Sequence, residues 1–224
     1  MKHKYALYPI IMSICAFLCF LGVAFLFAGA VEPRWGWILL LLLPAVLLSA
    51  VSVPAVKGVW KAGTTVVVTT ILVLILLPAS GLYTVVLGFI NSGETTDIRY
   101  YSRAYAVIED EEGVEGIFPE TLPKFAADIS FSYMPQVLQG GEVFELSYTT
   151  TDGELSEWKS ILEKKAEWIG TNQEWHEENN RSIPGTDLST RYHLYWDGGF
   201  NHGEMSYVLI DDETSRITFY YSEW

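Results

Sequence analysis

Three long stretches without a formal charge dominate the first half of the chain: Leu7 to Val31 (25 residues), Trp35 to Val56 (22) and Ala62 to Gly93 (32). A hydrocarbon core about 30 Å thick is crossed by about 20 helical residues, so each stretch is long enough to span a membrane. The second carries seven leucines, Leu39 to Leu43, Leu47 and Leu48. At roughly −0.5 kcal/mol apiece they favour insertion by about 3 kcal/mol. None of the three has the polar face that a helix of a water-soluble protein shows to solvent. The spacing predicts transmembrane helices at about 7–31, 36–56 and 63–90.

Charge divides the chain at the same place. Residues 1–93 contain Lys2, Lys4, Arg34, Lys57 and Lys61 against the single acid Glu32, whereas residues 94–224 hold nine basic and 26 acidic residues, a net of −17. A membrane unit at 1–93 followed by an acidic domain at 94–224 is the expected organisation. Lys and Arg are retained on the cytoplasmic side of short loops. Strict alternation of the spans places Lys2, Lys4, Lys57 and Lys61 on one side and Arg34 on the other. That puts the amino terminus in the cytoplasm and the acidic domain outside it, in a multi-pass plasma-membrane protein. Arg99 and Arg103 near the exit weaken this bias without reversing it. Tyr5, Tyr8, Trp35, Trp37 and Trp60 sit where interfacial aromatic belts are expected. The pair Lys57 and Lys61 is read as a topological anchor, with a lipid-headgroup or phosphate site as the alternative.

A cleaved signal peptide is the competing reading of the start, because the first apolar run ends in the small residues Ala28–Gly29–Ala30; the run is long for a signal core. Cys15 and Cys19 lie four apart on one face of the first span and are read as packing residues rather than ligands or a redox pair. A lipoprotein anchor is excluded, since Ile14 and Leu18 precede the cysteines. The acidic domain has no cysteine and must be stabilised by its core. No Asp, Glu, Lys, Arg or His lies within any span, which argues against a pump or ion-coupled transporter built from this chain alone. Small residues four apart, Ala24 and Ala28, Ala45 and Ser49, Thr65 and Thr69, mark faces where helices can approach closely. Pro78 and Gly81 are candidate kink positions in the third span.

In the domain, "DISFSYMP" and "EVFELSYTT" alternate, with Ile129, Phe131 and Tyr133 on one face and Phe144, Leu146 and Tyr148 on the other strand's matching face; "LQGG" supplies their turn. "DGELSEWKSILEKKAEWIG" reads as the one clear helix, with Leu155, Trp158, Leu162, Ala166 and Ile169 as its buried stripe. Thr151 or Asp152 can cap its start, Glu154 suits a capping box with Thr151, and Gly170 suits the stop. "TTDIRYYSRAYAVI" is ambiguous between helix and strand. Three strands follow, "LSTRYHLYW", "EMSYVLID" and "RITFYYSEW", the last expected to be held in the sheet up to Trp224. The expected fold is therefore membrane α-helical, with three transmembrane helices, followed by a soluble α+β domain: an antiparallel sheet of about five strands with one helix packed on a face.

The segments "GIFPETLP", "ISFSYMPQVLQGG", "FELSYTT" and "YVLIDDETSRITFYYSEW" resemble a group of uncharacterised membrane-anchored proteins of Gram-positive bacteria, over Gly116 to Trp224. The resemblance implies a bacterial cell-surface domain and assigns no activity or site residue.

Chemistry is sparse. In "DGGFNHGE", Asp197, Asn201 and Glu204 offer oxygen ligands, but Gly199 and Val208 stand where a calcium loop needs acids, so a hairpin turn is expected. "DDETS", Asp211 to Ser215, is likewise read as a solvated turn. "WHEENN" lacks the second histidine of a zinc-protease helix at Asn180. His193 and His202 flank a turn and can meet Tyr195 or Glu204 across a hairpin. No catalytic, cofactor-binding or metal-ligating residue is assigned, and no cofactor is implied. The partner expected from the composition is the lipid bilayer, with another membrane protein or a cationic envelope ligand beside it. A net charge of −17 argues against nucleic acid. Binding or scaffolding of a cell-envelope component is the leading functional expectation. The alternatives are an envelope hydrolase with an unrecognised carboxylate or histidine site, for which convergence of Asp197, His193, His202 and Glu204 is the test, and an accessory subunit of a membrane complex.

Overall fold

A computed structural model describes residues 4–136, 141–179, 189–198 and 203–224. The chain separates into two compact units, Met1–Ser92 and Gly93–Trp224.

The first unit holds three helical spans long and apolar enough to cross a membrane. The first is α1 (Leu7–Ala28), entered through a 3-10 turn at Lys4–Ala6. The second comprises α2 (Trp35–Ile38), a 3-10 turn at Leu39–Leu42 and α3 (Leu43–Val56). Pro44 stands in the first turn of α3, where its missing N–H is tolerated, and the helix tightens just before it. The third is α4 (Ala62–Asn91), which continues through Pro78.

Apolar side chains cover the outside of this unit: Phe25 is 82% and Leu26 74% exposed. Lipid tails are as apolar as leucine, so close packing and hydrogen bonds, rather than burial, hold such helices together. Ser13 of α1 donates to the Ala45 carbonyl (2.9 Å), and its hydroxyl lies 2.6 Å from that of Ser49. Thr65 and Thr69 are wholly buried. The small-residue faces at Ala45/Ser49 and Thr65/Thr69 thus serve packing within the chain, whereas Ala28 is exposed. Cys15 and Cys19 are exposed and line an apolar cavity of about 270 Å³ with Leu41, Pro44, Leu77 and Gly81.

The bundle has two distinct ends. At one, the Tyr5 hydroxyl donates to the Trp60 carbonyl (3.0 Å), joining the entry of α1 to the Lys57–Lys61 turn. At the other, the Arg34 N–H donates to Asn91 Oδ1 (2.9 Å), and Arg34 pairs with Glu32 at 2.7 Å. The chain leaves α4 at this second end.

The second unit is an α+β domain. After a 3-10 turn at Ile98–Tyr100 come α5 (Tyr101–Ile108), β1 (Ala127–Met134), β2 (Glu142–Thr149), α6 (Asp152–Lys165), β3 (Trp168–Thr171), α7 (Asn172–Asn179), β4 (Thr190–Asp197), β5 (Glu204–Asp211) and β6 (Arg216–Glu223). The strands form one antiparallel sheet of order β1-β2-β6-β5-β4-β3. The last strand is therefore interior, and Trp224 extends it by exchanging backbone hydrogen bonds with Gly203 (2.8 and 3.0 Å).

One sheet face is the core. Phe131, Tyr133, Phe144, Leu146, Tyr148, Val208, Ile217, Phe219 and Tyr221 are buried on it. Tyr101 of α5 packs edge-on to Phe131, Phe118 packs on Phe144 and Phe219, and Trp158 of α6 meets Phe219 edge-on at 5.1 Å. Gly113 seats the segment between α5 and β1 against this face. Its φ is +74°, and a β-carbon there would lie 2.0 Å from Ser206 Oγ.

The expected α+β domain, an antiparallel sheet with a helix packed on it, is what the structure shows; among the described residues the sheet has six strands where about five were expected, and α5 and α7 stand beside the expected helix α6. Finer expectations are corrected. Alternation breaks at Ile129, which is 40% exposed, because a bulge between Ala127 and Ser130 shifts the register. The helix expected to run to Gly170 ends at Lys165. Ala166 is already extended, and Trp168 to Thr171 pair with β4. A four-residue stretch has no readable period, and the open edge of β4 decides its conformation. Thr151 does cap α6, accepting from the Glu154 N–H at 3.3 Å, but the Glu154 carboxylate takes its hydrogen bond from the Thr150 hydroxyl instead of closing a box.

Candidate functional site

The other sheet face carries a continuous cross-strand row: Trp168, His193, Tyr207, Tyr220, Glu145 and Ser132, one from each strand in spatial order. The neighbouring row contains Gly170, Arg191, Leu209, Thr218 and Ser147. A register shift between His193 and Tyr195 brings Trp196 round to the same side. Over the end of these rows lies α7. Its amino terminus is closed by Thr171 and Glu174: Thr171 Oγ1 accepts from the Glu174 N–H (3.1 Å), and the Glu174 carboxylate accepts from the Thr171 N–H (2.7 Å).

Arg191 is at the centre and is fully buried. Its Nε donates to His193 Nε2 (2.7 Å) and its Nη1 to Asn172 Oδ1 (2.7 Å). The guanidinium carbon lies 3.6 Å from the Tyr207 ring centroid and 5.2 Å from that of Trp175. Ring faces carry negative charge density, so they take part of the load that a carboxylate would carry elsewhere. Arg191 forms no ion pair among the described residues, and its Nη2 has no hydrogen-bond partner there. Burial lowers its pKa to about 10, so it stays charged at neutral pH.

His193 accepts from Arg191 through Nε2, so its remaining ring proton belongs on Nδ1. Burial, and then the neighbouring guanidinium, push its pKa down to about 3. The Trp175 ring stacks on the imidazole with centroids 3.5 Å apart. Trp168, Trp175, Trp196 and Trp224 form a chain of ring contacts at 5.2, 5.7 and 5.6 Å. Tyr207 and Tyr220 stack at 4.6 Å.

A second cluster occupies one end of the sheet. Asp197, Glu204, Glu223 and Glu142 are in register across β4, β5, β6 and β2. Like charges directly opposite one another repel. Burial and then Glu111, Glu112, Glu223 and Asp197 push the Glu204 pKa up to about 7. Glu142 is raised by burial, and the Tyr133 hydroxyl donates to it.

The described residues singled out in the sequence come together only in part. Asp197 and Glu204 are cross-strand partners, but His193 lies on the opposite face of the sheet. Asn201 and His202 lie outside the described residues, as does Asn180 of "WHEENN". The carboxylates of "DDETS" are engaged locally: Asp211 accepts from the Glu213 N–H and the Thr214 hydroxyl, and Asp212 pairs with Lys159. Among the described residues no group of three or more His, Cys, Asp and Glu side chains is placed to hold a metal ion.

Arg191 was not visible as a site from composition, though two signals pointed to it. It interrupts the aromatic strand "RYHLYW", where strict alternation already aligns it with His193. The pattern Thr171-Asn-Gln-Glu174 marks a helix start, which would have placed Trp175 nearby. Comparison of the chain with protein-family models, curated proteins and solved structures finds no match.

Proposed function

We propose that this is a multi-pass protein of the plasma membrane whose acidic domain stands outside the cytoplasm and binds or scaffolds a component of the cell envelope. Four of the five basic residues of the membrane unit belong to its amino-terminal segment and the Lys57–Lys61 turn. The Tyr5–Trp60 hydrogen bond joins those two segments at one end of the bundle. By the retention of basic residues in the cytoplasm, the Arg34–Asn91 end faces out, and the chain continues from there into the domain.

The observation that carries binding over catalysis is the locked state of the central cluster. Arg191 is held by Asn172, His193 and two ring faces. His193 spends its Nε2 lone pair on Arg191, and a pKa near 3 makes it a weak base at neutral pH. A preorganised donor set with no mobile proton suits recognition. Against the hydrolase alternative, His193 lies on the sheet face opposite to Asp197 and Glu204, so these three candidates do not converge.

Two measurements test the reading. A protease or thiol reagent added to intact cells should reach a tag fused after Trp224; a tag reached only after lysis removes the orientation. The purified chain in mild detergent should show no turnover of cell-wall polymer; ordinary turnover there removes the binding role.

A further inference from the structure

We propose that Arg191 is the anchor of an anion-binding site, receiving one oxygen of a phosphate or carboxylate group on its unused Nη2 nitrogen within the enclosure of Trp175, His193, Asn172 and Tyr207. The proposal deepens the binding role above and rests on it for setting, but its chemistry stands on separate observations. Burying a guanidinium costs several kcal/mol unless charge and hydrogen bonds compensate it. The domain offers 26 acidic residues, yet Arg191 forms no ion pair among those described and is instead fixed by two neutral acceptors.

The arrangement is therefore complete for position and incomplete for charge. Nε and Nη1 are committed, both ring contacts are made, and Nη2 has no acceptor among the described residues. Guanidinium offers only donors, so the missing partner is an acceptor, and the uncompensated positive charge selects an anionic one. His193 supports this choice. It adds no second cation at neutral pH, and it occupies the Nε–H, which leaves Nη2 as the donor without a partner among the described residues. Tyr207 and Trp175 keep water from competing, which strengthens any charge-assisted hydrogen bond made there. Access requires a side chain of the enclosure to turn. Trp175 lies on an eight-residue helix, and its ring packs on His193, Trp196 and Trp168. Anion entry is thus coupled to the environment of an indole, which provides the readout.

The test uses the full chain in a neutral detergent, titrated with sodium phosphate or sodium acetate against sodium chloride at constant ionic strength. The expected result is a saturable change in tryptophan emission and a rise in thermal midpoint with phosphate or acetate, beyond that with chloride. The stronger response identifies the class of group recognised. Arg191→Met should abolish both effects. Arg191→Lys, which keeps the charge but loses the fork, should weaken them about tenfold and decides the matter where Arg191→Met does not fold. No saturable response to either anion, or an undiminished response in Arg191→Lys, overturns the site. A tag after Trp224 that stays protected in intact cells, with the anion response present, would remove the orientation and leave the site standing.

Discussion

The indole of Trp168 folds back over Gly170, two residues further along the same four-residue strand. A β-carbon on Gly170 would lie 2.5 Å from Trp168 Cη2 and 3.0 Å from Glu174 Oε2. Gly170 stands opposite Arg191 in the sheet, so the absence of a side chain makes room for the ring that borders the cluster. Gly170→Ala should destabilise the domain by about 1–3 kcal/mol through overpacking. Gly153→Ala in α6, where the nearest atom is 4.0 Å away, should be neutral or stabilising by up to about 1 kcal/mol. Urea midpoints followed by tryptophan emission compare the two; equal shifts would refute the packing argument.

Stacking on Tyr207 offsets part of the charge of Arg191. Tyr207→Phe keeps the ring face and should cost less than about 1 kcal/mol, while Tyr207→Leu removes it and should cost about 2–3 kcal/mol. If the two substitutions were equally costly, the hydroxyl rather than the ring face would be the important group.

Acid and base act on stability in opposite directions here. The His193 pKa falls from 6.5 to about 3 on folding. Between those values the unfolded chain takes up a proton that the folded one refuses, so stability drops as pH falls from about 6.5 toward 3. Glu204 rises from 4.5 to about 7. Between those values the folded chain holds a proton that the unfolded one has released, so stability drops as pH rises through that window. Glu204→Gln should raise the thermal midpoint at pH above about 7 and have little effect near pH 4. An offset of one size at both pH values would mean that burial and the surrounding acids Glu111, Glu112, Glu223 and Asp197 do not raise the Glu204 pKa.

Within the membrane unit, Ser13 bridges α1 to α3 through Ala45 and Ser49. Ser13→Ala should weaken their association by about 0.6 kcal/mol and Ser13→Leu by considerably more, since a large side chain would hold the helices apart. A double-mutant cycle with Ser49→Ala, read by unfolding in mixed micelles, isolates the pair. Additivity would show that the two hydroxyls do not interact.

The number and placement of the spans, the existence of an α+β domain, and strands β1, β2, β4, β5 and β6 were readable because they depend on local periodicity. Phe144, Leu146 and Tyr148 alternate and are all wholly buried, and Thr151 announces its helix. Strand β3 was not readable. Trp168 to Thr171 extend because β4 presents an unpaired edge, a partner about 20 residues away that no window of sequence contains. The cluster was hidden for the same reason. Arg191 in the sequence is one more cation in an acidic domain; only the fold shows that it pairs with no carboxylate among the described residues.

Sequence alone determined which segments are long and apolar enough to cross a membrane, because transfer of side chains into hydrocarbon depends on composition and length and little else. Tertiary structure decided which polar groups meet. It placed His193 and Glu204 on opposite faces, set four acids in one row, and surrounded Arg191 with rings. Interactions of that kind depend on distance and dielectric, which arise only once strands have found their register.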